Sequence, residues 1–178
     1  MKLLSIIAAA AVAVSLAPTA QAAELTGTLA KIDKNSEIVI GHRESSVPFA
    51  YLDENQKPIG YSMDLCAKIV DAVSAELGKK LNVKYVPVNP KTRIALMANG
   101  TIDLECGSTT NNLTRQQQVE YLPVTFVTGT KLMVRKGSGI TSVKDLAGKA
   151  VALAQGTTNE RAVKAAAESM NIDFKVLP

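Results

Sequence analysis

From Glu37 onward, short apolar runs alternate with longer stretches whose apolar residues recur at helical spacing. "EIVIG" is a continuous apolar run of strand length, the pattern of a strand covered on both faces. In "YSMDLCAKIVDAVSAEL", Met63, Leu65, Ile69, Val70, Val73 and Leu77 fall near the 3.6-residue period, and Gly78 is a stop signal. "LNVKYVPV" alternates with period two, "KTRIALMANG" reads as a short helix ended by Gly100, and "IDLEC" reads as a further strand. Strand, helix, strand, helix, strand predicts an α/β fold with a parallel sheet and right-handed crossovers.

A second block follows the extended stretch "PVTFVTGTKLMVRKG", whose middle, residues 124–130, is a candidate hinge. "SVKDLAG" predicts a short helix entered at Ser142, "KAVALA" a buried strand, "TNERAVKAAAESM" a helix and "DFKVLP" another strand. Two strands are few for a self-sufficient sheet. Pro178 follows a strand at the point where an α/β unit ordinarily enters its next helix, so the pattern predicts a truncated second lobe. The expected organisation is a leader over 1–22, a first lobe over 23–127, and a hinge with part of a second lobe over 128–178.

The leader expectation comes from the first residues. Lys2 precedes the compact apolar run "LLSIIAAAAVAVSL", Pro18 breaks it, and Ala20 and Ala22 stand where a signal peptidase reads small residues. Cleavage is expected between Ala22 and Ala23, with export to the periplasm. The run is short for a bilayer span, and no later stretch is long and apolar enough to be one. A net charge of +4 without a dense basic stripe, and with few aromatics, gives nucleic-acid binding little support. Cys66 and Cys106 suit an exported chain; they could pair, or Cys66 could be a buried free thiol on its helix.

Candidate chemistry centres on "ECGSTTNNLTR", residues 105–115. His42 is the only histidine, which leaves no basis for a Ser-His-acid set; metal-ligand clusters and phosphate-cradling glycine loops are missing from the sequence, and no cofactor is expected. Arg43 follows the first strand, Arg93 begins the second helix and Arg115 begins the third. Ligands of open parallel sheets sit beyond the carboxyl ends of the strands, so these three loops face one crevice. Guanidinium binds carboxylate in a bidentate, charge-assisted way and keeps its proton when desolvated. Ser108, Thr109 and Thr110 offer hydroxyls and backbone amides around Gly107, and Thr114 reads as a helix N-cap with Gln117 three residues on. Three buried arginines exceed what one carboxylate would balance, so a dicarboxylate is the better match. A ligand ammonium would require a protein acid, and Glu105 is the acidic residue within the loop.

"GHRESSVPFAYLDENQKPIGYSMDLCAKIVDAV", "TRIALMANGTIDLECGSTTNNLTR" and "LAGKAVALAQGTTNE" resemble the solute-binding proteins of polar amino-acid ABC transporters, in the branch that takes acidic amino acids. The resemblance covers nearly the whole chain after the leader. It implies a two-lobed type II periplasmic binding fold, each lobe with a mainly parallel sheet flanked by helices, closing over L-glutamate or L-aspartate and delivering it to a membrane permease. Carried onto matching positions, Arg115 would clasp the α-carboxylate with Ser108 and Thr110 beside it. Arg43 and Arg93 would hold the side-chain carboxylate, and Thr158 would reach across the cleft. Ser62 departs from the acid of the family's helix signature, and Pro90 stands where relatives often have a serine that supplies one hydrogen bond. The resemblance also implies that an ammonium-binding aspartate, a histidine and the return strand of the hinge lie beyond Pro178. The chain as given is therefore expected to bind weakly or not at all. The expected state is a monomer without catalytic residues. An exported dehydratase on the same fold and the ligand-binding module of a sensor are the alternatives.

Overall fold

The computed structural model describes residues 24–178; the expected leader and its cut site lie outside them. The centre of the first unit is β1 (Glu37–His42), in which every residue after Glu37 is buried. It pairs in parallel with β5 (Asn82–Pro87) on one side and β6 (Leu104–Cys106) on the other, giving the order β5-β1-β6. Between β1 and β5 lie β2 (Ser45–Ser46), β3 (Ala50–Leu52), β4 (Pro58–Ile59) and the helix α2 (Tyr61–Glu76). The connection from β5 to β6 carries α3 (Arg93–Ala98). The parallel α/β arrangement read from the sequence is the one observed.

Alternation along β1 divides the core. Ile38 and Ile40 pack with Met63, Cys66 and Val70 of α2, while Val39 packs on the opposite face with Val88 and Ile102, backed by Leu96 and Met97. Coverage of both faces is why "EIVIG" is continuously apolar. Gly41 lets the second face close tightly, since a Cβ there would stand 2.5 Å from Ile102 Cδ1.

Two features were not anticipated by the pattern, and a third settles a choice it left open. The helix α1 (Gly27–Asn35) precedes β1 and is tied down by Lys31, whose ammonium donates to the Asp103 carboxylate at 2.8 Å and to the Gly100 carbonyl at 2.7 Å. The other oxygen of Asp103 accepts the Val39 N–H, so one buried carboxylate joins α1, β1 and the approach to β6. Next, β2, β3 and β4 form a separate antiparallel meander. Its inner loop meets the start of α2, where Tyr61 and Ser62 N–H groups donate to the Pro48 and Phe49 carbonyls. Gly60 permits that approach with φ +125, since a Cβ would lie 2.7 Å from both carbonyl oxygens. Finally, Cys66 and Cys106 are paired, which fastens α2 to the end of β6 and resolves the two readings left open by the sequence.

Residues 120–135 form neither helix nor ladder and lead to a second unit. There a single 3-10 turn (Val143–Leu146) replaces the expected short helix, entered at Ser142 as anticipated. The Asp145 carboxylate accepts the N–H groups of Thr141 and Ser142, which holds it below the usual carboxylate range. β7 (Ala150–Ala152) and β8 (Lys175–Leu177) pair in parallel, joined by α5 (Thr158–Ser169). Leu146, Leu153 and Val163 form a separate small core.

Candidate functional site

The carboxyl edge of the three-stranded sheet is where the predicted site residues converge. Arg43 leaves β1, Arg93 opens α3 beyond β5, Glu105 stands within β6, and the loop from Gly107 leaves that strand. Arg93 is 3% exposed and Arg115 6%, values rare for a charged side chain without a purpose in the fold or in binding. Arg43 is half-buried, its stem directly over Gly107.

The loop ends in α4 (Leu113–Gln116), a helix of four residues. Its N-cap is Asn112, not Thr114: the Asn112 backbone is extended and its side-chain oxygen accepts the Arg115 N–H at 3.0 Å. Thr114 lies inside the helix. Moving the cap two residues earlier makes Arg115 the third helical residue, and its guanidinium turns back along the loop. It donates to the Thr110 carbonyl at 2.8 Å and to the Gly156 carbonyl of the second unit at 3.1 Å. The Thr110 hydroxyl meets the Thr158 hydroxyl at 3.0 Å, so the second-unit residue does face the first. Thr157 caps α5 by accepting the Glu160 N–H.

A cleft of about 460 Å³ opens beside the loop. Arg93, Glu105, Ser108, Thr109 and Thr110 line it, with Phe49, Tyr121 and Phe126 among the apolar and aromatic walls. Arg43, Arg115 and Thr158 are not among its lining residues; they border the same loop from behind and from the second unit. Ser108 presents an exposed side chain to the cleft. Phe126, from the extended segment, packs edge-on against Phe49 with ring centres 4.9 Å apart, and the Tyr61 hydroxyl donates to the Thr125 carbonyl.

The electrostatics concentrate on Glu105 and Arg93. Nη1 of Arg93 stands 3.9 Å from Oε1 of Glu105, and only 14% of the Glu105 side chain is exposed. Burial pushes the Glu105 carboxyl above the usual carboxylate range, opposed by Arg93, then by the neighbouring Thr109 hydroxyl, and more weakly by Arg43 and Arg115. Burial also lowers the Arg93 guanidinium from its ordinary value, opposed by Glu105, without depriving it of its proton. The Tyr121 phenol, which donates to the Thr110 carbonyl at 3.2 Å, is raised by burial against the pull of Arg115. Sequence reasoning missed Tyr121, Asn112 and Gly156. It flagged Ser62 only as a departure: the Ser62 hydroxyl donates to the Gly107 carbonyl at 2.7 Å, a contact an acidic side chain could not make as a donor.

A parallel-sheet lobe with its polar loops at one carboxyl edge, facing a second α/β unit across them, is the architecture of the type II periplasmic binding proteins. The chain belongs to the bacterial extracellular solute-binding proteins, family 3, whose family model matches residues 38–175. It is 48% identical to the glutamate/aspartate import solute-binding protein of Salmonella typhimurium over 84% of this chain and 50% of that protein. It is also 48% identical to the L-glutamate/L-aspartate-binding protein of Pseudomonas aeruginosa, over 97% of this chain and 56% of the other. The chain thus spans about half the length of the curated relatives it matches. Among solved structures, an ancestral amino acid-binding protein, a precursor of cyclohexadienyl dehydratase, superposes with TM-score 0.69 at 26% identity, covering 85% of this chain and 64% of that one. An ancestral arginine-binding protein bound to glutamine gives 0.66 at 30% identity, covering 80% and 60%.

Proposed function

We propose that the chain is the ligand-capturing component of an ABC importer for acidic amino acids, exported to the periplasm behind the leader 1–22. In this reading 23–127 form the first lobe with its N-terminal segment, and 128–178 form the hinge with part of a second lobe. L-Glutamate or L-aspartate binds as a monomeric protein's cleft ligand and passes to a membrane permease. The observation that carries the reading is the Arg93 guanidinium, almost sealed from solvent yet with Nε and Nη1 making no hydrogen bond among the described residues. Buried donors are ordinarily satisfied, and a carboxylate entering the cleft would satisfy these. The names of the relatives support acidic amino acids as the substrate class.

Within the site, Arg93 and Arg43 take the side-chain carboxylate, and Arg115 takes the α-carboxylate with Ser108 and Thr110. Thr158 completes the α-carboxylate side from the second unit. Arg115 already holds two carbonyls, so its fork is oriented before ligand arrives. Titration of L-glutamate and L-glutamine into the chain with its second lobe completed, followed through the arginine Nε–H resonances and by calorimetry, tests this. Glutamate should bind at least about tenfold more tightly, since glutamine leaves the Arg93 donors without a charged partner. Equal affinities would overturn the reading.

The alternative of an exported dehydratase draws support from Glu105, a buried carboxyl in the cleft whose proton is retained above the usual range. Binding without catalysis is the better reading, because Arg93 beside Glu105 works against a proton donor. Turnover of a prephenate-like acid by the purified chain would reverse that judgement.

A further inference from the structure

Four polar atoms on the first-lobe wall of the cleft are buried and make no hydrogen bond among the described residues: Arg93 Nε and Nη1, Glu105 Oε1 and Thr109 Oγ1. All three residues line the cleft. The 3.9 Å between Arg93 and Glu105 is too long for a hydrogen bond and short enough for strong attraction where little water screens it. A buried carboxylate and guanidinium ordinarily close into a bidentate pair, which would consume the donors. Here the charge is felt and the donors stay unspent. Gly107 makes the arrangement possible, since a Cβ there would collide with Oε1 of Glu105 and press on Cγ of Arg43 at 3.0 Å. The carboxylate therefore lies beside Arg93 and over a residue with no side chain, with the Arg43 stem against the same glycine.

We propose that Glu105 sets the charge of the pocket: it orients Arg93 without saturating it and leaves the Arg43–Arg93 end with one net positive charge. That end then suits a singly charged carboxylate and disfavours doubly charged oxyanions. The inference rests on the reading of this edge as a carboxylate site, but not on which amino acid is bound. Glu105 is a positioning residue in this scheme, acting on the ligand through Arg93. The groups facing it are Arg93 from α3, Arg43 after β1, Arg115 from α4, Tyr121 from the extended segment and Thr109 from its own loop. Because burial raises its carboxyl, acidification neutralises Glu105 before ordinary carboxylates, and the same end becomes doubly positive.

Inorganic sulfate is the probe, because it keeps both charges from about pH 5 to about pH 8 while a raised carboxyl or a histidine titrates. It is titrated into the full 178-residue chain and followed through the arginine Nε–H resonances. The unsubstituted chain should bind sulfate weakly near neutrality and more tightly as pH falls. Glu105→Gln should bind about tenfold more tightly near neutrality, as a partly screened unit charge requires, with a flat pH profile. Equal affinities, a slope that survives in Glu105→Gln, or no sulfate response in that variant would overturn the proposal. His42, adjacent to Arg43, supplies the control. His42→Gln should keep the slope, and its loss there would also overturn the proposal, whether or not Glu105→Gln folds. L-Glutamate enters none of these arms, so the acidic amino-acid reading and the charge-setting role fail separately.

Discussion

Arg93 is the residue on which the specificity argument turns, and it belongs to a group rather than acting alone. Replacing it with alanine removes the unspent donors and leaves Glu105 buried without its partner. L-Glutamate affinity should fall about 100-fold, the lower part of the range for truncating one partner of a buried charge pair, while L-glutamine affinity changes far less. Calorimetry with both ligands checks this; a parallel loss of both would show that Arg93 serves the α-carboxylate end. Arg115→Ala should instead weaken both amino acids together if Arg115 holds the α-carboxylate as proposed, since both ligands carry that group. The three arginines were legible in the sequence because each follows a strand pattern, and strand ends fix a sheet edge. The 3.9 Å spacing of Arg93 and Glu105 was not legible, since it depends on how α3 packs beside β6.

At the scale of elements, what the sequence revealed and what it concealed follow from length and locality. β1 and α2 are long enough for their periods to show. β2 and β4 have two residues each, too few for alternation to register, and their pairing depends on the carbonyls of Pro48 and Phe49 meeting the start of α2. α1 buries only Ile32, and its anchor on Asp103 is 72 residues away from Lys31. The displaced cap at Asn112 reflects a choice among several adjacent capping residues, all chemically able. The Cys66–Cys106 link closes a loop of sequence separation 40, which by chain entropy stabilises the fold by about 4 kcal/mol. The Cys66→Ala/Cys106→Ala variant should lose most of that in urea unfolding. Reductant should move the unsubstituted chain toward the variant and leave the variant unchanged.

For the whole molecule, the two units meet through polar contacts that include Arg115 with Gly156 and Thr110 with Thr158, while Thr130 of the connecting segment donates to Asn159 at 2.7 Å. Among the described residues the apolar clusters of the two units are separate, so each unit is held by its own core. The dependence of stability on pH carries the sign of Glu105. A carboxyl raised in the folded state binds more protons folded than unfolded, so its contribution is greatest below the unfolded value and is lost as pH rises through the folded one. Asp145 and Glu160, both held low, act oppositely at more acid pH. The unfolding free energy of the chain relative to Glu105→Gln should therefore decline from mild acid to neutrality. Chemical denaturation across that range measures it, and a rising difference would contradict the burial of Glu105.

The Gly156 contact has a thermodynamic consequence. One guanidinium faces both the opposing unit and the proposed ligand, so apposition of the units and occupancy of the cleft share a common term in the free energy. By linkage, whatever factor a ligand adds to the closed population, closure must return to the ligand's affinity. Gly156 holds φ +78, and a Cβ there would lie 3.0 Å from the Pro90 carbonyl oxygen. Under the proposed reading, a methyl group at this one position would therefore act on affinity by changing how readily the two units come together, without touching the ligand.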